Sequence, residues 1–244
     1  MGILRTKTIE PATGSTLTLG ASGDTVTVSS DSIKANTFKD AGGNTLFTSD
    51  GAGTLSSVNS ALAPAGPILI STHTASGSSS VDITSGIDST YDEYMFVFTD
   101  VNPATDNVYF QFQVNATDST SYDETITSTQ FAAGHAEADN WNNLFYATGG
   151  DQAQGTAFQY LSSGSGGIGN AADESVAGEL HLFSPASTTY VKHFYAVMPE
   201  NEKDNQLFTS YTGGYINTTT AIDDIQFKMS SGNFDGTIQM YGIK

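Results

Sequence analysis

Apolar and polar residues alternate one by one in many short stretches of this chain, and no window of eleven or more residues carries a period near 3.6. A side-chain period of two belongs to a strand with one buried face. That alternation excludes a helical core. Phe110, Phe112 and Val114 oppose Tyr109, Gln111 and Gln113, and Leu180 and Leu182 oppose Glu179 and His181. One apolar and one polar face mark antiparallel sheets half open to water. In the larger part of the chain strands are expected at 68–73, 81–84, 93–101, 107–115, 144–148, 156–161, 178–183, 189–198, 206–211, 222–229 and 236–243. Such a series separated by turn residues predicts an antiparallel β-sandwich of the jelly-roll-like kind. Residues 132–143 and 168–177 leave room for a turn or two of helix.

The two ends of the chain differ in what they can bury. Residues 1–65 hold two aromatics, Phe38 and Phe47, and a net charge of −1, which leaves −17 of the total −18 to residues 66–244. Two prolines in Ala61-Leu62-Ala63-Pro64-Ala65-Gly66-Pro67 mark the boundary. Before it, Thr16-Leu17-Thr18-Leu19 is echoed by Thr25-Val26-Thr27-Val28 after a Gly/Ser/Asp turn, and more weakly at Thr45-Leu46-Phe47 and Thr54-Leu55. Strands this short gain too little burial to offset ordering costs of about 1–2 kcal/mol per residue. They need neighbours, as in a solenoid or in equivalent strands of sister chains. The expected organisation is a short-stranded, intertwined β-shaft over 1–65 and an acidic sandwich head over 66–244. A flexible Gly/Ser/Thr tail is the simpler alternative for the first part.

The charge narrows the partners. A chain with 26 Asp and Glu against 8 Lys and Arg repels phosphate backbones, so nucleic acid is not an expected partner. No run approaches the roughly 20 apolar residues of a membrane span, and Met1-Gly2-Ile3-Leu4-Arg5-Thr6-Lys7 has no apolar stretch of the signal-peptide kind. Without cysteine there is no disulfide and no thiolate chemistry.

Few residues point to chemistry. Gly164-Ser165-Gly166-Gly167-Ile168-Gly169 matches a dinucleotide glycine pattern, but no helix can follow it, and an exposed loop is expected instead. His73, His135, His181 and His193 have no ligand spacing: His181 and His193 read as sheet residues, and His135 as a loop contact. The pairs Asp92-Glu93, Asp123-Glu124, Asp173-Glu174 and Asp223-Asp224 read as solvated charge, with calcium as the alternative and glycosidase work as a further one. No metal or cofactor is expected otherwise. The single tryptophan, Trp141, sits among Asn140, Asn142 and Asn143. An indole face with amides beside it suits a sugar ring and its hydroxyls; the alternative is an indole folded back on the sandwich. Tyr122, in the Thr/Ser/Asp-rich stretch from Asp118 to Thr129, which reads as a loop, is a second candidate contact. The N-x-T triplets at Asn115 and Asn217 imply no glycosylation without secretion.

The opening Met1-Gly2-Ile3-Leu4-Arg5-Thr6-Lys7-Thr8-Ile9-Glu10-Pro11-Ala12-Thr13-Gly14 resembles the start of fibre-type virion proteins of tailed bacteriophages, especially marine and cyanobacterial ones. In those, a short leader runs into a Gly/Ser/Thr-rich repeat like the one here. Ser89-Thr90-Tyr91-Asp92-Glu93-Tyr94-Met95-Phe96-Val97-Phe98 and the ending Gly236-Thr237-Ile238-Gln239-Met240-Tyr241-Gly242-Ile243-Lys244 are similar to phage appendage proteins. The resemblance implies a homotrimer located in the virion, a non-catalytic role, and attachment to other virion proteins through Ile3, Leu4, Arg5, Lys7 and Ile9. It leaves three functions open: a tail fibre or appendage that contacts a host surface glycan or protein receptor, a capsid decoration or head-fibre protein gripping the shell, and a surface-glycan depolymerase. Typical tail fibres begin with a larger docking domain, so the leader leaves tail and capsid both open.

Overall fold

A computed structural model describes residues 36–52, 55–56, 58–59 and 66–244. The repeats at 16–19 and 25–28, and Ile3, Leu4, Arg5, Lys7 and Ile9, lie outside the described residues. The chain divides into two units, Met1–Ala63 and Pro64–Lys244.

In the first unit, β1 (Thr37–Lys39), β2 (Thr45–Ser49) and β3 (Leu55–Ser56) form a three-stranded antiparallel sheet. The first turn is built by Asp40, whose carboxylate accepts from the Asn44 amide at 2.8 Å and from its side-chain Nδ2 at 3.0 Å. Those donors hold the Asp40 carboxyl below its usual value. Gly43 takes a φ of 84°, which a β-carbon would resist. Phe38 and Phe47, cross-strand partners, stack at 4.5 Å. None of the described residues of this unit is buried.

The second unit consists of β4 (Ile68–Ser78), β5 (Val81–Ile83), β6 (Glu93–Pro103), β7 (Phe110–Ala116), β8 (Ile126–Ala136), β9 (Asn142–Tyr146), β10 (Gln152–Gly155), β11 (Gln159–Tyr160), β12 (Val176–Phe183), β13 (Lys192–Glu202), β14 (Gln206–Ile216), β15 (Ile222–Met229) and β16 (Phe234–Ile243). The larger sheet has the order β10-β8-β14-β13-β12-β6-β16-β4, with β9 also pairing β8. The smaller has the order β11-β7-β15-β5. The paired strands are antiparallel throughout. There is no helix among the described residues, so neither 132–143 nor 168–177 holds the helical turns the sequence leaves room for. No helix there is long and apolar enough to cross a membrane.

The two sheets share one core. Phe96 and Phe98 of β6 meet Phe227 of β15 at 5.4 and 5.1 Å between ring centroids, and Phe98 meets Phe110 of β7 at 5.2 Å. All four are fully buried, and each such side chain contributes about 1.5–3 kcal/mol by leaving water. The alternation of β7 puts Phe110, Phe112 and Val114 in this core as expected. Its other face is not open to water, however, since Gln111 and Gln113 are buried too. The Gln113 amide donates to the carbonyls of Glu124, Thr156 and Ala157, which bind covering loops to that face.

Three strands escape the sequence reading, β1 in the first unit and β8 and β10 in the second. Inward positions of β8 are Ile126, Ser128, Gln130, Ala132, Gly134 and Ala136, so its buried face is small or polar, and the apolar period disappears. Thr127 to Thr129, expected in a loop, belong to this strand.

Candidate functional site

Four strands cannot cover nine, and loops take over where β8, β14 and β13 pass beyond the smaller sheet. Beneath those loops the interior is polar. Gln130 donates to the Ser162 carbonyl at 3.0 Å and to Thr212 Oγ1 at 2.9 Å, while its Oε1 accepts from the Gly164 amide at 2.8 Å. Ser128 donates to Gln159 Oε1 at 2.6 Å. Each buried polar group made whole in this way avoids a desolvation penalty of about 1–3 kcal/mol.

The glycine-rich stretch is part of this cover, which corrects the expectation of an exposed loop: Gly166, Gly167, Ile168 and Gly169 are buried. A β-carbon on Gly166 would lie 2.6 Å from Phe208 Cε2 and 2.8 Å from Glu202 Cγ. Only glycine lets the loop come this close.

Beside the loop opens a cleft of about 660 Å³. Trp141 stands on one wall, placed by the tight β8–β9 connection in which the Asp139 amide donates to the Ala136 carbonyl at 3.0 Å and the Ala136 amide donates to the Trp141 carbonyl at 2.9 Å. Asp139 has a φ of 54° there. The indole is half-buried. It meets Phe208 edge to face at 5.7 Å, and Phe145 meets the same ring at 5.8 Å. Gly134, opposite Phe208 in the ladder, makes room, because a methyl group there would overlap both Phe208 and Trp141. The Trp141 ring packs on the sheet and also lines an open cleft.

The rest of the cleft is polar. Asn107 and Tyr109 come from the β6–β7 connection, and Glu202, Lys203, Asp204 and Gln206 from the β13–β14 hairpin. Tyr109 stacks on Tyr160 at 4.6 Å and is raised above its ordinary value by burial, then by Tyr160, Glu200 and Glu202. Lys203 hydrogen-bonds Asp204, which holds the ammonium above its usual value, and stands 3.6 Å from Glu202. Burial pushes the Glu202 carboxyl up although it accepts from the Asp204 amide at 2.7 Å. Chemically, the cleft offers aromatic faces with amides, carboxylates and one ammonium around them.

The sequence-predicted residues are not all here. Asn140, Asn142 and Asn143 are exposed and do not line the cleft; Asn142 and Asn143 pair with His135 and Gly134 in the ladder. Tyr122 stands elsewhere, its hydroxyl pushed up to about 12 by burial and by Asp82, Asp224 and Asp223. His135 lies on β8 and not in a loop, 3.3 Å from Asp139. Residues missed in the sequence are Asn107, Tyr109, Phe145, Phe208 and, on the β13–β14 hairpin, Glu202, Lys203, Asp204 and Gln206. One signal was present: the inward period of β13 runs Phe194, Ala196, Met198, then Glu200 and Glu202. Carboxylates continuing an apolar face mark a site where a polar interior begins. Among the described residues no three His, Asp or Glu side chains gather to hold a metal ion.

No family model, no curated protein and no solved structure matches this chain.

Proposed function

We propose that this protein is a homotrimeric structural component of a phage virion, a tail fibre or appendage, whose C-terminal unit binds host-surface glycan without catalysis. In this reading the first unit is a β-shaft shared among copies, and the second a jelly-roll-like β-sandwich head. The leader's resemblance to virion fibre proteins supports the location. One structural observation supports the activity: the half-buried Trp141 lines a cleft edged by Asn107, Gln206 and carboxylates. A sugar stacks its C–H face on an indole and gives its hydroxyls to amides and carboxylates. Strong acidity keeps such a head soluble and disfavours nucleic acid and anionic membranes.

The non-catalytic reading rests on the carboxylates. Glycoside hydrolysis needs two carboxyl groups flanking the scissile bond, whereas the two that line the cleft, Glu202 and Asp204, come from one hairpin and both stand beside Lys203. The full chain is to be tested on an array of bacterial surface glycans beside Trp141→Ala. Binding by the wild type, lost in the variant and without release of sugar, is the expected result; binding that survives the substitution defeats the reading. Antibody labelling of intact particles separates tail attachment from the alternative, capsid decoration.

A further inference from the structure

The outward face of the larger sheet is largely apolar over β9, β8, β14 and β13, which a solvated sheet face ordinarily is not. At its centre Phe131 of β8 and Tyr211 of β14 are cross-strand partners stacked at 4.9 Å, yet they remain 45% and 39% exposed. The same row continues to Tyr146 on one side and Val197 on the other. Leu144, Leu207 and Tyr195 project from the same face on β9, β14 and β13 and are exposed. Among the large apolar side chains of the second unit that stay exposed, only Tyr190 and Leu69, the latter on β4 at the far edge of the sheet, lie outside this patch.

Charge is distributed the opposite way. Outward positions of β9, β8, β14 and β13 hold no Asp, Glu, Lys or Arg, in a unit that carries −17. Carboxylates begin at the rim. Asp151 accepts from the Tyr146 hydroxyl at 2.7 Å, Asp139 stands beside His135, and Glu93 and Glu179 flank His181. An apolar centre with a polar rim is the anatomy of a protein interface.

We infer that this face is where a second copy of the chain docks. The inference rests on the proposed homo-oligomer and adds to it the surface on which copies meet. Two units of charge −17 can approach closely only through a patch free of carboxylates, and this is such a patch. Its size fits as well. Three strands of 11 residues and one of 5, about 4.8 Å apart at about 3.4 Å per residue, present about 600 Å². A standard interface takes about 800 Å² from each partner. A cationic partner would be drawn to the acidic surfaces elsewhere and gain nothing here.

The absence of cysteine makes the test clean. Full-length Tyr211→Cys and, as a control on the exposed β15–β16 turn, Ser231→Cys are treated with a short bis-maleimide, and wild-type mass is measured by light scattering. The expected result is an oligomeric wild type and covalent dimers formed at least tenfold faster at position 211 than at 231. Should Tyr211→Cys misfold, Thr209→Cys on the same face replaces it. An oligomeric wild type with equal cross-linking at both positions overturns the docking face and leaves the oligomer standing. A monomeric wild type overturns both.

Discussion

Glu200 and Ser163 are joined by a forked hydrogen bond inside the second unit: the Ser163 amide donates to both carboxylate oxygens, at 3.1 and 3.0 Å. The carboxyl is fully enclosed. Burial pushes it well above its ordinary value, the Ser163 amide pulls the other way, and Glu202 adds to the rise.

Stability therefore depends on pH. The unfolded chain releases the Glu200 proton near the ordinary carboxylate value, whereas the folded chain keeps it to higher pH. Between those values the folded state binds more protons, so stability falls as pH rises, by up to about 1.4 kcal/mol per pH unit for one group. Burial moves Glu202, Glu124 and Asp223 in the same direction. Thermal melts at fixed ionic strength are expected to show a midpoint that drops from pH 5 to pH 8, and Glu200→Gln flattens that slope. An unchanged slope in Glu200→Gln means that Glu200 is not the group responsible.

Trp141 and Phe208 separate binding from folding. Phe208 is buried and holds both neighbouring rings, so Phe208→Ala is expected to cost about 3–5 kcal/mol in urea melts. Trp141 is only half-buried, and Trp141→Ala loses about 1–2 kcal/mol on the apolar area it covers. Glycan affinity falls at least tenfold in the second variant while its fold persists by circular dichroism.

Gly166→Ala drives a methyl group against Phe208 and Glu202. Overpacking of this kind costs about 1–3 kcal/mol. Because the strain falls on a cleft wall, glycan affinity is expected to fall together with the urea midpoint; a midpoint equal to wild type would show that the loop has room to move.

Phe227 touches rings from both sheets, Phe96 and Phe98 on one side and Phe110 and Phe112 along its own. Phe227→Ala is expected to cost about 3–5 kcal/mol, read as a shift in the denaturant midpoint at unchanged slope.

What could be read in advance follows the location of the information. The 222–229 strand is legible in its bounds, because Ile225, Phe227 and Met229 alternate onto one face, which Ile222 joins across a bulge. At 126–136 the face toward the interior carries Ser128, Gln130 and Gly134, and the burial of the first two is offset by hydrogen bonds to Gln159, Ser162 and Gly164, far along the chain. Hydrophobic pattern cannot report that exchange. Trp141 stands out as the sole indole, but its cleft partners sit on two other connections, and Asn140, Asn142 and Asn143 draw attention only by being adjacent.

Alternation is a local property, since successive side chains on an extended backbone point to opposite sides whatever surrounds them. Sequence alone therefore determined that this protein is built of antiparallel strands with turns at its Gly, Asp and Asn clusters. Which strands became neighbours, which carboxylates lost water, where a cleft opened and which sheet face stayed bare were decided by the tertiary structure. Each of those depends on the atoms that remote segments bring to one place, and desolvation is set by that company, not by the residue itself.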